Sequence, residues 1–137
     1  MKINPYLMFD GRCQEAFRFY AAVLGGTIEM MMTFAEAPDP CPSAPAEWND
    51  KILHASLIVG DQRLMGADQP PQYQSTPQGF SVTIDVTDAA EAERIFAALG
   101  EGGTIGMPMG ETFWAVRFGM LVDRFGTPWM VNCSRPM

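Results

Sequence analysis

The side chains able to do acid–base or ion-pair chemistry are few in this chain. Its single histidine, His54, is the candidate general base or ligand contact, because an imidazole can both accept and donate a proton. A hydrogen-bonded structural histidine is an equally good interpretation. Arg117 is the candidate anion contact, because a guanidinium binds a carboxylate or phosphate through two parallel hydrogen bonds. A structural ion pair of Arg117 with Asp85 or Glu111 is the alternative, and slightly favoured, interpretation.

The sulfur-containing residues indicate packing rather than redox chemistry. Cys13, Cys41 and Cys133 show no C-x-x-C spacing and are odd in number, so we expect free structural thiols in a reducing compartment. The eleven methionines are typical core fillers, and their flexible thioethers also suit a pocket for an apolar ligand. The sequence contains no glycine-rich phosphate loop and no nucleophile-elbow motif.

Length and charge exclude several classes of function. A chain of 137 residues is long enough for one domain with its own core. The net charge of −7 would repel nucleic-acid phosphates and an anionic membrane surface, so we expect neither partner. No segment approaches the roughly 20 apolar residues that span a bilayer. Because the N-terminus lacks the apolar stretch of a signal peptide, we expect a cytoplasmic protein.

An internal repeat organises the chain. The sequence Gly-Gly-Thr-Ile at 25–28 recurs at 102–105. Upstream of it, Glu-Ala at 15–16 and Ala-Ala at 21–22 recur at 91–92 and 97–98. In each copy a segment of period two precedes a segment of period 3.6, which predicts a strand followed by a helix. The helices are predicted at about 12–24 and 88–100, each ended by a glycine pair.

Further strands complete two modules of the form β-α-β-β-β. The first half predicts strands at about 3–9, 27–34, 51–59 and 63–67, and the second at about 80–86, 104–109, 112–122 and 128–133. Two sheets, each with a helix behind it, make an α+β fold. The modules span about 1–68 and 78–137, joined by a proline-containing linker at 69–77. The acidic, proline-rich segment 35–50 is expected to be a mobile flap or a disordered insertion.

Strand alternation predicts which side chains point away from the helices. In the second module the apolar residues of the strand at 80–86 must face the helix, so Ser81 and Thr83 point away from it. The offset between the two helices transfers this parity to the first module and places Leu7 and Phe9 on the corresponding side.

Short sequence motifs in both halves of the chain resemble those of a known family. The motifs that carry the resemblance are YLMFDGRC at 6–13, FYAAVLGG at 19–26, His-Ala at 54–55, Phe-Trp at 113–114, and DRFG at 123–126 followed by Trp129. They resemble the PhnB-like branch of the vicinal-oxygen-chelate superfamily, which includes glyoxalase I, extradiol dioxygenases and bleomycin-resistance proteins. The resemblance covers essentially the whole chain and implies that the paired modules form an open cup.

The resemblance also implies where a metal would lie. In this superfamily a divalent ion sits on the cup floor, held by residues from the first and last strand of each module. Carried onto this chain, those positions fall at about Pro5, Met65, Ser81 and Met130. Proline offers no donor, and a neutral hydroxyl or thioether binds hard or borderline ions poorly. We therefore expect a cup without a metal and without a cofactor.

The favoured function is non-covalent binding of a small molecule with an apolar or aromatic body and a polar end, by a homodimer. The residues expected to bound this cup and form its floor are Leu7, Phe9, His54, Ser56, Met65, Ser81, Thr83, Arg117 and Met130. An alternative is a metal-independent or atypically metallated lyase, isomerase or transferase with His54 as its base. A third hypothesis is a scaffold that acts through protein association.

Overall fold

Each half of the chain folds one α-helix onto one sheet. The computed structural model describes residues 1–37 and 46–136. They divide into unit 1, Met1–Ser75, and unit 2, Thr76–Met137.

Unit 1 follows the predicted order of elements within its described residues. These elements are β1 (Tyr6–Phe9), α1 (Cys13–Leu24), β2 (Thr27–Thr33), β3 (Ile52–Val59) and β4 (Gln62–Asp68). The sheet order is β1-β4-β3-β2. β1 runs parallel to β4, whereas β2 and β4 both run antiparallel to β3.

Unit 2 repeats this topology over residues 76–136. Its elements are β5 (Val82–Val86), α2 (Ala89–Gly100), β6 (Thr104–Gly110), β7 (Ala115–Val122) and β8 (Pro128–Ser134). The sheet order is β5-β8-β7-β6, again with the first and last strands parallel. The predicted α+β fold of two β-α-β-β-β modules is confirmed, and both helices begin and end within one residue of their predicted positions.

The two helices begin in different ways. α2 has a local cap, since the side chain of Asp88 accepts a hydrogen bond from the N–H of Ala90. α1 has no side-chain cap from its own N-terminal residue. A carboxylate from the end of β4, Asp68, instead accepts hydrogen bonds from the N–H groups of Gly11 and Cys13, each at 2.9 Å. α1 ends at Leu24 and is followed by Gly25, whose φ of 68° is the left-handed conformation that glycine adopts without steric cost.

The core of each unit lies between the helix and the sheet. In unit 1 a Cβ on Gly66 would come within 2.8 Å of the Phe17 ring, so β4 and α1 approach closely at this glycine. In unit 2 a Cβ on Gly119 would come within 2.6 Å of the Phe96 ring of α2. These two glycines identify the helix-covered face of each sheet.

Trp129 belongs to the core of unit 2. It is almost fully buried, and its indole N–H donates to the Asp123 carboxylate at 2.8 Å. The same carboxylate accepts hydrogen bonds from the N–H groups of Phe125 and Thr127, which fixes the turn between β7 and β8. Trp114 of the same unit, by contrast, has an exposed side chain.

The two predicted loops are described in part. Residues 38–45, which include Cys41 and make up half of the predicted flap, lie outside the described residues. On its C-terminal side Ala46–Trp48 forms a short 3-10 helix. The predicted linker contains a second 3-10 helix, Pro71–Tyr73. Cys13 and Cys133 are buried and free. No helix among the described residues is long and apolar enough to cross a membrane.

Candidate functional site

Each sheet has a helix-covered face and an opposite face, which we call its open face. In unit 1 Gly66 lies on the helix-covered face and pairs with Leu7 of β1 and Ala55 of β3. Alternation along the strands then places Tyr6 and Met8 on the open face. It also places there the following residues of β3 and β4: His54, Ser56, Arg63, Met65 and Ala67.

The prediction that Leu7 and Phe9 line the cup is wrong. Both are only 3% exposed and lie on the helix-covered face of unit 1. Tyr6 occupies the register position opposite Met65, as Thr83 does opposite Met130. Pro5 precedes β1 and does not hold that position.

The wrong face was predicted for β1 because the connection between β1 and α1 differs in length from that between β5 and α2. Three residues, 10–12, separate β1 from α1, whereas two residues, 87–88, separate β5 from α2. The offset between the helices is therefore one residue shorter than the offset between the strands. Because side chains alternate along a strand, this difference of one residue led the prediction to assign every residue of β1 to the wrong face.

In unit 2 the predicted strand parity is confirmed. Val131 pairs with Gly119 on the helix-covered face, so Met130 and its partner Thr83 lie on the open face. Ser81 precedes β5 and is half-buried. Ligand binding by these three residues stays a prediction.

A tyrosine–histidine pair occupies the open face of unit 1. The phenol oxygen of Tyr6 lies 3.0 Å from Nδ1 of His54, and the ring centroids are 5.6 Å apart. Burial raises the pKa of the Tyr6 phenol, with a smaller contribution from Cys13. The hydrogen bond fixes the orientation of the imidazole and leaves Nε2 outside this contact. Sequence reasoning missed Tyr6, although the offset of the glycine pairs carries the correct register.

The phenol of Tyr6 also lines a cavity within unit 1. This cavity has a volume of about 460 Å³, and its apolar and aromatic lining includes Tyr6, Met8, Phe34, Leu53, Ala67 and Tyr73. Asp68 and Gln69 contribute to its wall. Met8 and Ala67 face each other across the β1–β4 register, so the floor of the cavity is part of the open face.

A β-bulge brings Leu53 into this cavity. Met32 pairs with His54 and Thr33 pairs with Ile52, so Leu53 is an extra residue in β3. The bulge interrupts the alternation that an unbroken strand would have. As a result Leu53 lines the cavity, while Ile52 is buried in the core.

Ser56 is held by its neighbours on the open face. Its hydroxyl donates to a carboxylate oxygen of Glu29 at 3.1 Å, and the other oxygen of Glu29 accepts from Arg63 at 3.1 Å. Ser56 is buried and lies opposite Met65. These contacts satisfy the hydroxyl, so it is poorly placed to act as a ligand contact.

The prediction that Arg117 lines the cup is wrong. Its guanidinium Nε donates to Glu93 of α2 at 2.8 Å, and its strand partner Cys133 is buried. Arg117 lies two residues before Gly119 with no register shift between them, so alternation places it on the helix-covered face. The predicted structural ion pair exists, but its partner is Glu93. Asp85 contacts Asn132 instead.

The strand positions that hold the superfamily's metal do not suit a divalent cation in this chain. The register places Tyr6 opposite Met65 in unit 1 and Thr83 opposite Met130 in unit 2. A neutral phenol, a hydroxyl and two thioethers are poor ligands for such ions. Within residues 1–37 and 46–136 no group of three or more His, Cys, Asp or Glu side chains is placed to hold a metal. That the protein carries no metal stays a prediction.

Comparison with known proteins gives a consistent result. Residues 1–132 match the family described as 3-demethylubiquinone-9 3-methyltransferase. The crystal structure of protein PA1353 from Pseudomonas aeruginosa is 50% identical, covers 99% of both chains and superposes with a TM-score of 0.91. A putative 3-demethylubiquinone-9 3-methyltransferase, PhnB protein, from Bacillus cereus is 25% identical, covers 98% of this chain and 100% of its own, and gives a TM-score of 0.79.

A more distant structure has the same fold. Fosfomycin resistance protein FosX from Mesorhizobium loti is 10% identical, covers 98% of this chain and 92% of its own, and gives a TM-score of 0.65. The match over residues 1–132, the repeated β-α-β-β-β topology and these likenesses agree. The chain belongs to the 3-demethylubiquinone-9 3-methyltransferase family, a PhnB-like family of the vicinal-oxygen-chelate superfamily with the glyoxalase/bleomycin-resistance fold.

Proposed function

We propose that this protein binds a small molecule with an apolar or aromatic body in the cavity of unit 1, and that the Tyr6–His54 pair meets its polar end. The observation that carries the proposal is an apolar cavity whose wall includes a phenol hydrogen-bonded to the protein's single histidine. Its volume of about 460 Å³ lies within the range of roughly 300–1,000 Å³ found for ligand pockets.

The lining of the cavity can bind both the apolar body and the polar end of such a ligand. Transfer of about 200 Å² of apolar ligand surface from water gains roughly 5 kcal/mol. The loss of translational and rotational freedom offsets much of that gain, so a well-placed hydrogen bond decides the affinity. The Tyr6 hydroxyl can both donate and accept a hydrogen bond. Its hydrogen bond with His54 uses one of these two roles and leaves the other for the ligand.

The proposal requires no metal and takes the protein to be a cytoplasmic homodimer. Support for self-association comes from β6, an edge strand of its sheet, on which Ile105 and Met107 are exposed. Exposed apolar edge strands are usually covered or paired in native proteins.

The test fills the cavity and measures binding. Ala67→Phe would place a ring in the cavity, whereas Ala22→Phe adds the same ring to the exposed face of α1. A panel of substituted phenols is screened by thermal shift, and the strongest binder is measured by calorimetry. We expect Ala67→Phe to abolish binding and Ala22→Phe to leave it unchanged. Equal binding by both variants would place the ligand elsewhere.

A second candidate function is acid–base catalysis with His54 as the base. The observation that favours it is the Tyr6 contact at 3.0 Å, which orients the imidazole on the open face. The family description names a methyl transfer to 3-demethylubiquinone-9. Such a transfer would need an electrophilic methyl donor such as a sulfonium compound: the new O–CH3 bond forms as the donor's S–CH3 bond breaks and the thioether leaves. The hydroxyl must lose its proton in this step, and His54 is the residue suited to accept it. His54→Gln separates the functions, because it would eliminate catalysis while the apolar contacts of binding remain.

A further inference from the structure

A row of side chains crosses the open face of unit 2. Asp85 of β5 pairs in register with Asn132 of β8, which pairs with Phe118 of β7. Their strand neighbours Val131 and Gly119 lie on the helix-covered face. Alternation therefore places all three members of the row on the open face.

The polar end of the row consists of hydrogen-bond acceptors. The amide nitrogen of Asn132 donates to Asp85 at 2.9 Å and to the Ser134 hydroxyl at 3.0 Å. The amide oxygen is buried without a partner, in a residue that is 8% exposed. The reverse orientation of the amide would set this oxygen against the Asp85 carboxylate, so the hydrogen bonds fix the assignment.

The carboxylate of Asp85 is exposed, and no basic side chain among the described residues forms an ion pair with it. Arg117 is bound to Glu93, and Arg135 is bound to Glu111 and to the carbonyl of Thr112. An unpaired carboxylate beside an orphaned amide oxygen is a site for a ligand that donates hydrogen bonds and carries positive charge.

The other end of the row is aromatic. The rings of Trp114 and Phe118 are 5.2 Å apart at 71°, and those of Phe113 and Trp114 are 4.9 Å apart at 80°. Phe113 is 89% exposed, which is unusual for a large apolar side chain. Exposed aromatic rings attract cations through their faces and pack against apolar groups.

We propose that the open face of unit 2 binds an organic ammonium ion that carries at least one N–H group and an apolar body. The N–H groups donate to Asp85 and to the amide oxygen of Asn132, and the apolar body packs against Trp114 and Phe113. The net charge of −7 raises the local concentration of such cations. The two proposals rest on different residues and on different ligands, so either can fail alone.

The probe is benzylamine, compared with the neutral benzyl alcohol and the anion benzoate at pH 7. Binding is followed by NMR shifts of the tryptophan indole N–H signals, assigned with Trp114→Phe. We expect benzylamine to bind at about 20 mM or better, with shifts confined to the Trp114 signal, and the other two compounds to bind at least about fivefold more weakly. No binding of benzylamine, or equal binding of benzyl alcohol, would overturn the proposal.

Two variants and a matched control assign the contacts. Asp85→Asn removes the charge and should weaken benzylamine binding about tenfold. Glu101→Gln removes the same charge from an exposed residue at the end of α2 and should change binding less than about twofold. Phe113→Ala alters a side chain too exposed to disturb folding and should weaken binding at least about threefold. Full binding by both Asp85→Asn and Phe113→Ala would show that the row is not the site.

Discussion

Replacement of Asp68 tests how unit 1 positions its cavity. This carboxylate is 2% exposed and lies at the end of β4. One oxygen accepts from the N–H groups of Gly11 and Cys13, and the other accepts from the N–H of Ile52, all at 2.9 Å. A single side chain thus joins the start of α1, the start of β3 and the wall of the cavity.

The expected cost follows from these contacts. A hydrogen bond to a charged acceptor contributes roughly 1.5–3 kcal/mol, and loss of the acceptor leaves its buried donor unsatisfied. Three such bonds are not additive, because they share one carboxylate and water can enter the space left by alanine. We expect Asp68→Ala to lower the free energy of unfolding by about 4 kcal/mol. Asp68→Asn retains one acceptor oxygen and should cost about half as much, ~2 kcal/mol.

Urea unfolding followed by far-UV circular dichroism measures this difference. The control is Asp61→Ala, which removes an exposed carboxylate from the turn between β3 and β4 and should cost less than about 0.5 kcal/mol. If Asp68→Ala costs under about 1 kcal/mol, with an unchanged dependence on urea, the carboxylate does not hold these elements together.

Three further predictions concern packing, thiol reactivity and metal content. Gly66→Ala should destabilise the protein by roughly 1–3 kcal/mol, because the new Cβ would lie 2.8 Å from the Phe17 ring. The control is Gly106→Ala, whose Cβ would meet no atom closer than 3.6 Å. An equal loss of stability for both variants in thermal unfolding would contradict the close approach of β4 and α1. The Cys13 peptide should resist iodoacetamide in the native protein and react after unfolding, since burial raises the pKa of its thiol; rapid native labelling in a mass-spectrometric map would refute this. Elemental analysis of the purified protein should find well under one equivalent of zinc, iron, manganese or nickel, because the register positions offer poor ligands; a stoichiometric metal that survives dialysis would refute the ligand mapping.

The fold could be predicted because its signals are local and repeated. The apolar stripe of α2, with Ala92 and Leu99 at its ends, follows the helical period and is buried as a set. The glycine pairs mark the chain just beyond both helices. Alternation in β5 correctly placed Thr83, because this strand carries no bulge in its pairing with β8.

The site was harder to predict because it depends on single-residue irregularities. The connection before α1 is one residue longer than the connection before α2. The faces predicted for β1 were therefore exchanged, and Leu7 was expected on the open face in place of Tyr6. A register shift in β3 placed Leu53 in the cavity. Arg117 lies on the helix-covered face of β7, opposite to the face expected for it, and binds Glu93 of α2. A bulge is a property of backbone pairing between strands, so the side-chain pattern of one strand does not reveal it.

The central claim, that a ligand occupies the cavity of unit 1 beside the Tyr6–His54 pair, can be tested on one NMR signal. His54 is the single histidine, so its imidazole Hε1 resonance needs no assignment in tag-free protein. The strongest phenol of the binding screen is titrated into wild-type protein and into Ala67→Phe. The proposal predicts a saturable shift of the His54 resonance in the wild type and none in Ala67→Phe. A phenol that binds by calorimetry and leaves this resonance unmoved in the wild type would contradict it.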